Sequence, residues 1–100
     1  MKYLIEFKEE ARQDIIDAAG WYREKQPGLD KKFIAAIEEA MQRISLTPTA
    51  GRKLYRSFRE TSLKKFPFVI VYEIIFDSIV IYQVFHTSQN PRKKSSRLKK

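Results

Sequence analysis

The chain contains no cysteine, one histidine (His86), three glycines and four prolines. Without thiols there is no disulfide framework, thiolate zinc site or cysteine nucleophile, and one imidazole cannot build a histidine-rich metal centre. The expectation is a protein with no metal and no organic cofactor. Gly20, Gly28 and Gly51 are too scattered to form a phosphate-cradling loop. There is no HExxH helix, and no serine sits in a nucleophile-elbow sequence. Nowhere do 18 apolar residues run together, and Met1-Lys2-Tyr3-Leu4-Ile5-Glu6 reaches charge before a signal-peptide core could form. These absences read as a soluble, cytoplasmic chain without a membrane partner.

What the second half lacks is negative charge. Residues 1–50 hold eight Lys or Arg against nine Asp or Glu, whereas residues 51–100 hold twelve against three, within a formal net charge of +8. Such asymmetry points to an anionic partner, either nucleic acid or an acidic protein segment, although a solvated basic surface has the same composition. One hundred residues leave room for one domain, and 43% hydrophobic content with seven Phe, five Tyr and one Trp is enough for one core.

The chain changes period as it proceeds. Tyr3 to Phe7 alternates, with Tyr3, Ile5 and Phe7 on one face, and reads as a first strand. From about Lys8, Ala11, Ile15, Ala18, Ala19 and Tyr22 form one stripe of an amphipathic helix that ends near Lys25, with Glu9 and Glu10 at its positive dipole end. Pro27-Gly28 breaks it. Phe33, Ala36, Ile37, Ala40, Met41 and Ile44 then repeat the spacing until Thr47-Pro48. Trp21 and Tyr22 are read with these stripes as core residues.

Arg52 to Lys65 is basic and ambiguous. After a turn at Phe66-Pro67, Phe68 to Ile75 and Ile79 to Phe85 read as a strand hairpin turning near Asp77-Ser78. These strands are almost continuously apolar, so both faces need cover. Strict alternation places Phe68, Ile70, Tyr72 and Ile74 with Val80, Tyr82 and Val84 under the helices. It places Val69, Val71, Glu73, Ile81, Gln83 and Phe85 on an open face. Val69, Val71, Ile81 and Phe85 would then be an exposed apolar strip of the kind that binds another protein, unless the C-terminal tail folds over it. The expected division is one domain over 1–90 and a basic, flexible tail over 91–100, which carries Arg92, Lys93 and Lys94 and could act as a nucleic-acid arm.

Chemistry has few carriers. His86, at the end of the last strand, is expected next to a cluster of Arg52, Lys53, Arg56, Arg59, Lys64 and Lys65. An imidazole among cations could assist attack of an RNA 2′-hydroxyl on its own phosphate, with His86, Arg59 and Lys64 as candidate catalytic residues. The alternative is a hydrogen-bonded structural histidine on the helix-facing side with Val84.

The order β-α-α-β-β-β, an α+β fold with a helical hairpin on one face of a mainly antiparallel sheet, resembles the RelE/ParE superfamily of bacterial toxins from type II toxin–antitoxin modules. The residues that carry the resemblance are Trp21-Tyr22 with Pro27-Gly28-Leu29 and Phe33, Pro48-x-x-Gly51-Arg52, Lys65-Phe66-Pro67-Phe68 leading to Val71-Tyr72, and Val84-Phe85-His86 with Pro91-Arg92. The Phe-Pro-Phe hairpin entry and the His-to-Pro ending resemble the ParE-like, plasmid-stabilisation branch.

The resemblance implies a growth-inhibiting toxin in the cytoplasm, neutralised by a cognate antitoxin in a hetero-oligomer. That partner is expected across Val69, Val71, Glu73, Ile81, Gln83 and Phe85. It also implies one of two targets: DNA gyrase, inhibited by binding, or mRNA on the ribosome, cut by the RelE-like interferases. Arg52, Arg56, Arg59, Lys64, Lys65, Arg92, Lys93 and Lys94 are the expected contacts to target or nucleic acid. RelE-like toxins carry catalytic Arg and Lys at positions that match Val69, Gln89, Glu60 and Ser62 here, so the sequence favours gyrase over RNA cleavage. A basic nucleic-acid-binding module without toxicity is the third alternative.

Overall fold

The computed structural model describes residues 3–88, so the expectations for Gln89, Arg92, Lys93, Lys94 and the tail lie outside the described residues. The elements are β1 (Leu4–Phe7), α1 (Glu9–Lys25), α2 (Leu29–Leu46), a 3-10 turn (Pro48–Ala50), β2 (Arg52–Lys53), β3 (Phe58–Ser62), β4 (Phe68–Ile75) and β5 (Ser78–His86). The sheet order is β1-β5-β4-β3-β2; β1 runs parallel to β5 and the other pairs are antiparallel. The α+β expectation holds, with one strand more than expected because Arg52 and Lys53 pair with Glu60 and Arg59.

Both helices follow their apolar stripes. Ala11, Tyr22, Phe33, Ile37, Ala40, Met41 and Ile44 are buried with Phe68, Ile70, Tyr72, Ile79, Ile81 and Val84 in one core. Gly28 joins the helices with φ +89°, a left-handed conformation that glycine adopts without steric cost. Tyr22, Phe33, Phe66 and Phe68 form an aromatic nest at centroid distances of 5.0 Å to 6.1 Å. Trp21 departs from expectation. It falls outside the stripe and is 56% exposed, edge-on to Tyr22, with the Lys25 ammonium 4.9 Å from its ring centroid.

Two polar devices join the layers. Arg43 of α2 bonds Glu39 on its own helix and reaches β3 through Thr61 Oγ1 at 3.0 Å and the Ser62 carbonyl at 3.1 Å. The hydrogen bond from Arg43 holds the Glu39 carboxyl below the usual range, with further help from the charges of Arg43 and Lys64. Past Phe7, no strand among the described residues pairs with the outer edge of β5. The Val84 N–H there donates to Asp14 Oδ2 of α1 at 2.9 Å, which satisfies a backbone group that would otherwise be orphaned.

The open face differs from expectation in two ways. Strict alternation fails along β5, because Val71 pairs with Gln83 and Tyr72 with Ile81, leaving Tyr82 as an extra residue. A bulge of this kind reverses the sides of everything before it. Ile81 therefore lies in the helix-side core at 0% exposure, not on the open strip, and Val80 lies opposite Glu73 on the other face. Tyr82 also faces that side, edge-on to Phe58 at 5.1 Å.

The second difference is cover. Val69, Val71 and Phe85 are buried as a small second core beneath Leu54 and Phe58, so they do not form an exposed strip. The reason lies in the ambiguous basic stretch. Its hairpin folds across the face and closes with Leu54 N–H to the Phe58 carbonyl at 2.9 Å and Phe58 N–H to the Tyr55 carbonyl at 3.1 Å. No helix among the described residues is long and apolar enough to cross a membrane.

The turn before that hairpin is tightly fitted. The buried Tyr72 hydroxyl donates to the Pro48 carbonyl at 2.7 Å, and Arg59 Nη1 donates to the Thr49 and Gly51 carbonyls, each at 2.9 Å. A Cβ at Gly51 would lie 2.1 Å from the Tyr72 hydroxyl and 3.1 Å from the Glu60 carbonyl oxygen. Gly51→Ala should lower stability by about 1–3 kcal/mol in urea unfolding, the usual range for overpacking. In a Tyr72→Phe background the same change should cost less, because the clashing oxygen is gone.

Candidate functional site

The three catalytic candidates have separate occupations. His86 pairs with Phe68 across the sheet and meets its ring edge-on at 5.3 Å. The His86 Nδ1 atom accepts from the Ser88 backbone N–H at 3.1 Å and lies 2.7 Å from Ser88 Oγ. Arg59 holds the carbonyls of the 3-10 turn. Lys64 is 70% exposed, with Glu39 at 3.7 Å. Arg59 faces Tyr72 whereas His86 faces Phe68, four residues apart along β4. At ~3.3 Å per residue that is about 13 Å along the strand, with a further strand spacing to each side. The fold does not gather these groups around one reacting atom.

The basic contacts expected from the sequence divide between two ends of β3. At the hairpin end, Arg52 bonds Glu60 through Nε at 3.0 Å and also through Nη2, and Arg56 holds φ +58° with its guanidinium 5.4 Å from the Tyr55 ring centroid. At the other end, Lys64 and Lys65 enter the turn that leads through Phe66 and Pro67 into β4. Lys65 there has φ +70°. These two lysines share a cleft of about 750 Å³ with Tyr22, Leu29, Lys32, Ala35, Ala36, Phe66 and Pro67. Lys32 was missed as a site residue because it stands in the half of the chain whose charges nearly cancel. The signal was its place one helical turn after Leu29 and one before Ala36.

On the opposite face a short polar chain fixes the hairpin over the second core. Ser57 Oγ bonds one carboxylate oxygen of Glu73 and the Tyr82 hydroxyl donates to the other at 2.7 Å. Gln83 is 2% exposed, and its Oε1 has no hydrogen-bond partner among the described residues. Burial first, then the hydrogen bond to Glu73 and the negative charges of Glu73 and Glu6, push the Tyr82 hydroxyl up to about 12.

With this geometry in place, the comparisons with known proteins are specific. A family model for the ParE toxin of type II toxin–antitoxin systems (parDE) matches residues 5–91. Toxin ParE2 of Mycobacterium tuberculosis is 25% identical over 79 residues, 78% of this chain and 75% of that protein. In fold, the chain is similar to a structure of the chromosomal ParDE toxin–antitoxin system from P. aeruginosa, with TM-score 0.76 and 15% identity over 87% of this chain and 98% of that one. It is also similar to a chain of the toxin–antitoxin complex RelBE2 from Mycobacterium tuberculosis, with TM-score 0.58 and 23% identity over 86% and 99% of the two chains. The sheet, the helical hairpin and the family match together define a toxin of the RelE/ParE superfamily. Within it, this chain belongs to the ParE toxin family of type II toxin–antitoxin systems.

Two predictions follow from the second core and its latch. Val71→Asp places a carboxylate where exposure is 0%, and should unfold the protein or lower its stability by more than about 3 kcal/mol in urea titration. Folding of that variant to wild-type stability would show that this face opens to water. For Tyr82 the folded value lies above the unfolded one near 10, so the folded state holds the proton more tightly. The latch should contribute fully below about pH 10 and be lost as pH rises toward about 12. Melting temperature should fall across that window less steeply in Tyr82→Phe than in the parent. A slope remains in the variant because burial also raises Tyr72 and Tyr22.

Proposed function

We propose that this toxin arrests bacterial growth by binding an essential target, with DNA gyrase the first candidate, and that a cognate antitoxin holds it inactive. The observation that supports binding over cleavage is the separation just described. Arg59 is committed to the carbonyls of Thr49 and Gly51, His86 packs on Phe68, and Lys64 sits at the far end of β3. General acid–base catalysis needs its groups within hydrogen-bond reach of one reacting centre. Recognition of a macromolecule needs no such convergence, and basic side chains at two ends of the molecule suit it.

The antitoxin reading is supported by the structural relatives, of which RelBE2 is described as a toxin–antitoxin complex. An antitoxin segment reaching the open face would meet Leu54, Phe58, Tyr82 and Glu73 first. Val69, Val71, Gln83 and Phe85 would act from beneath as the packed support of that surface, while Ile81 belongs to the other side of the sheet.

Inducible expression with pulse labelling separates the targets. DNA synthesis should fall before protein synthesis, purified chain should inhibit gyrase supercoiling at saturation, and His86→Ala should arrest growth as well as the parent. An early fall in protein synthesis, with inhibition weakened about 10²-fold by His86→Ala, would instead establish the mRNA-cleaving reading. Unaffected growth would remove both.

A further inference from the structure

The lysine-lined cleft lies where α2 and β4 begin, and the end of the molecule where both elements finish carries apolar side chains that the fold does not use. β4 and β5 are joined there by the two-residue loop Phe76-Asp77, closed by the pairing of Ile75 with Ser78. Loops of this length need a residue with positive φ, a place that Gly, Asn or Asp fills readily. Phe76 fills it here, at φ +54° and 95% exposed. The ring strains the turn and meets water, with almost no packing in return. Leu4, Ser78 and Ile75 stand in one row across the sheet beside the loop, so Leu4 and Ile75 share a face; they are 66% and 40% exposed. One residue further along β1, Ile5 lines a pocket of about 340 Å³ with Met41, Gln42, Ser45 and Leu46 from the last turns of α2. An apolar cavity of about 150 Å³ accepts benzene, so this space is ample for a phenyl ring. Its rim includes Leu46, which is 84% exposed, and the chain's own Phe76 does not fill it.

We infer that this end is a self-association surface, on which two copies of the chain meet about a two-fold axis and each inserts Phe76 into the pocket of the other, with Leu4 and Ile75 packed alongside. A knob and a pocket on the same end of one chain are what an isologous contact requires, because each copy must give and receive the same group. Charge favours a second copy over the other occupants. No Lys or Arg lines the pocket or stands in the loop, so nucleic acid or an acidic segment finds no cation there. For two chains that each carry a net charge of +8, a surface without cations is where approach meets least repulsion. Area sets the strength. A phenylalanine brings about 150–250 Å². With Leu4, Ile75 and Leu46 added, the two copies together come near the ~1,200 Å² at the lower edge of specific interfaces, which makes the dimer weak and reversible. The contact depends neither on the target nor on the antitoxin, and it leaves the cleft at the other end open.

Analytical ultracentrifugation of the full chain from about 10 μM to about 1 mM, the range of weak association, tests the inference. The expected result is a reversible monomer–dimer equilibrium with no larger species, strengthened by added salt because salt screens the repulsion between copies. Phe76→Gly should weaken the dimer at least about tenfold, as loss of an anchor does, while raising the melting temperature, because glycine relieves the turn. A rise in melting temperature separates loss of the contact from loss of the fold. Leu46→Asp, at an exposed position, should weaken the dimer comparably with the fold intact. The chain has no cysteine, so a nitroxide on Thr47→Cys is unique. Mixed with an isotope-labelled copy, it should broaden the amide signals of Phe76 and Asp77 in that other copy.

A chain that stays monomeric throughout that range overturns the inference. So does a dimer that Phe76→Gly leaves undiminished, or broadening centred on residues 64–67. Species that grow beyond the dimer would show a head-to-tail contact instead of a two-fold one. Association that weakens as salt is added would place the contact on the cations and not on this apolar end.

Discussion

β4 is apolar on both sides, and the rest of the molecule answers that constraint. Ile70 and Val71 are adjacent, point to opposite faces, and are each 0% exposed. A strand of this composition leaves several residues' worth of apolar surface in water unless two separate layers cover it, at about 25 cal/mol for each Å² left exposed. The helical hairpin is one layer and contributes ordinary amphipathic packing. The other has to come from what remains of a short chain. It is the basic hairpin around β2 and β3, which has Leu54 and Phe58 to offer and little else. The second core is consequently small, and its polar margin matters: Ser57 and Tyr82 both bond Glu73, so the carboxylate fixes the cover to the sheet where apolar area is scarce.

The bulge at Tyr82 belongs to the same solution. With strict alternation, Ile81 would face the thin cover and Tyr82 the thick core, leaving a phenol hydroxyl to find a partner beneath the helices. One extra residue puts Ile79 and Ile81 under α1 and brings Tyr82 out to Phe58 and Glu73. Bulges also increase twist and turn the bulged strand away from its neighbour. β1 stops pairing at the Phe7–Ile81 register, just before the bulge, and Asp14 of α1 takes over the outer edge of β5 at Val84. Register, edge protection and face assignment on β5 therefore have one local cause.

The parts of the fold legible in the sequence were those written in a single period. Ala11 to Tyr22 and Phe33 to Ile44 repeat at helical spacing, and Phe68 to Ile75 is a run bounded by Pro67 and a turn, so both helices and β4 emerged near their observed limits. Trp21 was misjudged because its neighbour Tyr22 occupies the stripe and one residue is about 100° of helix, enough to move a side chain from core to solvent. The bulge left no mark, since Ile79-Val80-Ile81-Tyr82 is equally apolar in either phase. The cover over Val69, Val71 and Phe85 was hidden for a different reason: a hairpin with Leu54, Tyr55 and Phe58 scattered among Arg and Lys reads as a charged loop until the surface it must cover is known. Of the site, the expectation that His86 lies on the helix side was legible from alternation, because the residues after the bulge keep their phase. The cleft was not, because it is made by residues from α1, α2 and the turn before β4, and no window of sequence contains them together.

The same folding constraint bears on how cations are used. Arg59 stands near the start of β3, beside the turn that connects α2 to the sheet, and its guanidinium donates to two carbonyls in and just after the short 3-10 turn, those of Thr49 and Gly51. Arg43 does comparable work between α2 and β3, and Arg52 is matched by Glu60 across the β2–β3 pair. Arginine suits these positions because its planar fork can satisfy several acceptors at once. The lysines follow another pattern. Lys32, Lys64 and Lys65 are exposed, have flexible stems, and cluster around an apolar floor. Arg43, Arg52 and Arg59 thus tie helix, hairpin and turn together, whereas the exposed charge lining the cleft is carried by lysine. The side chains that keep β4 covered and the charges exposed to solvent are therefore separate sets, so the exposed lysines can change their ionic contacts without dismantling a fold that has so little cover to spare.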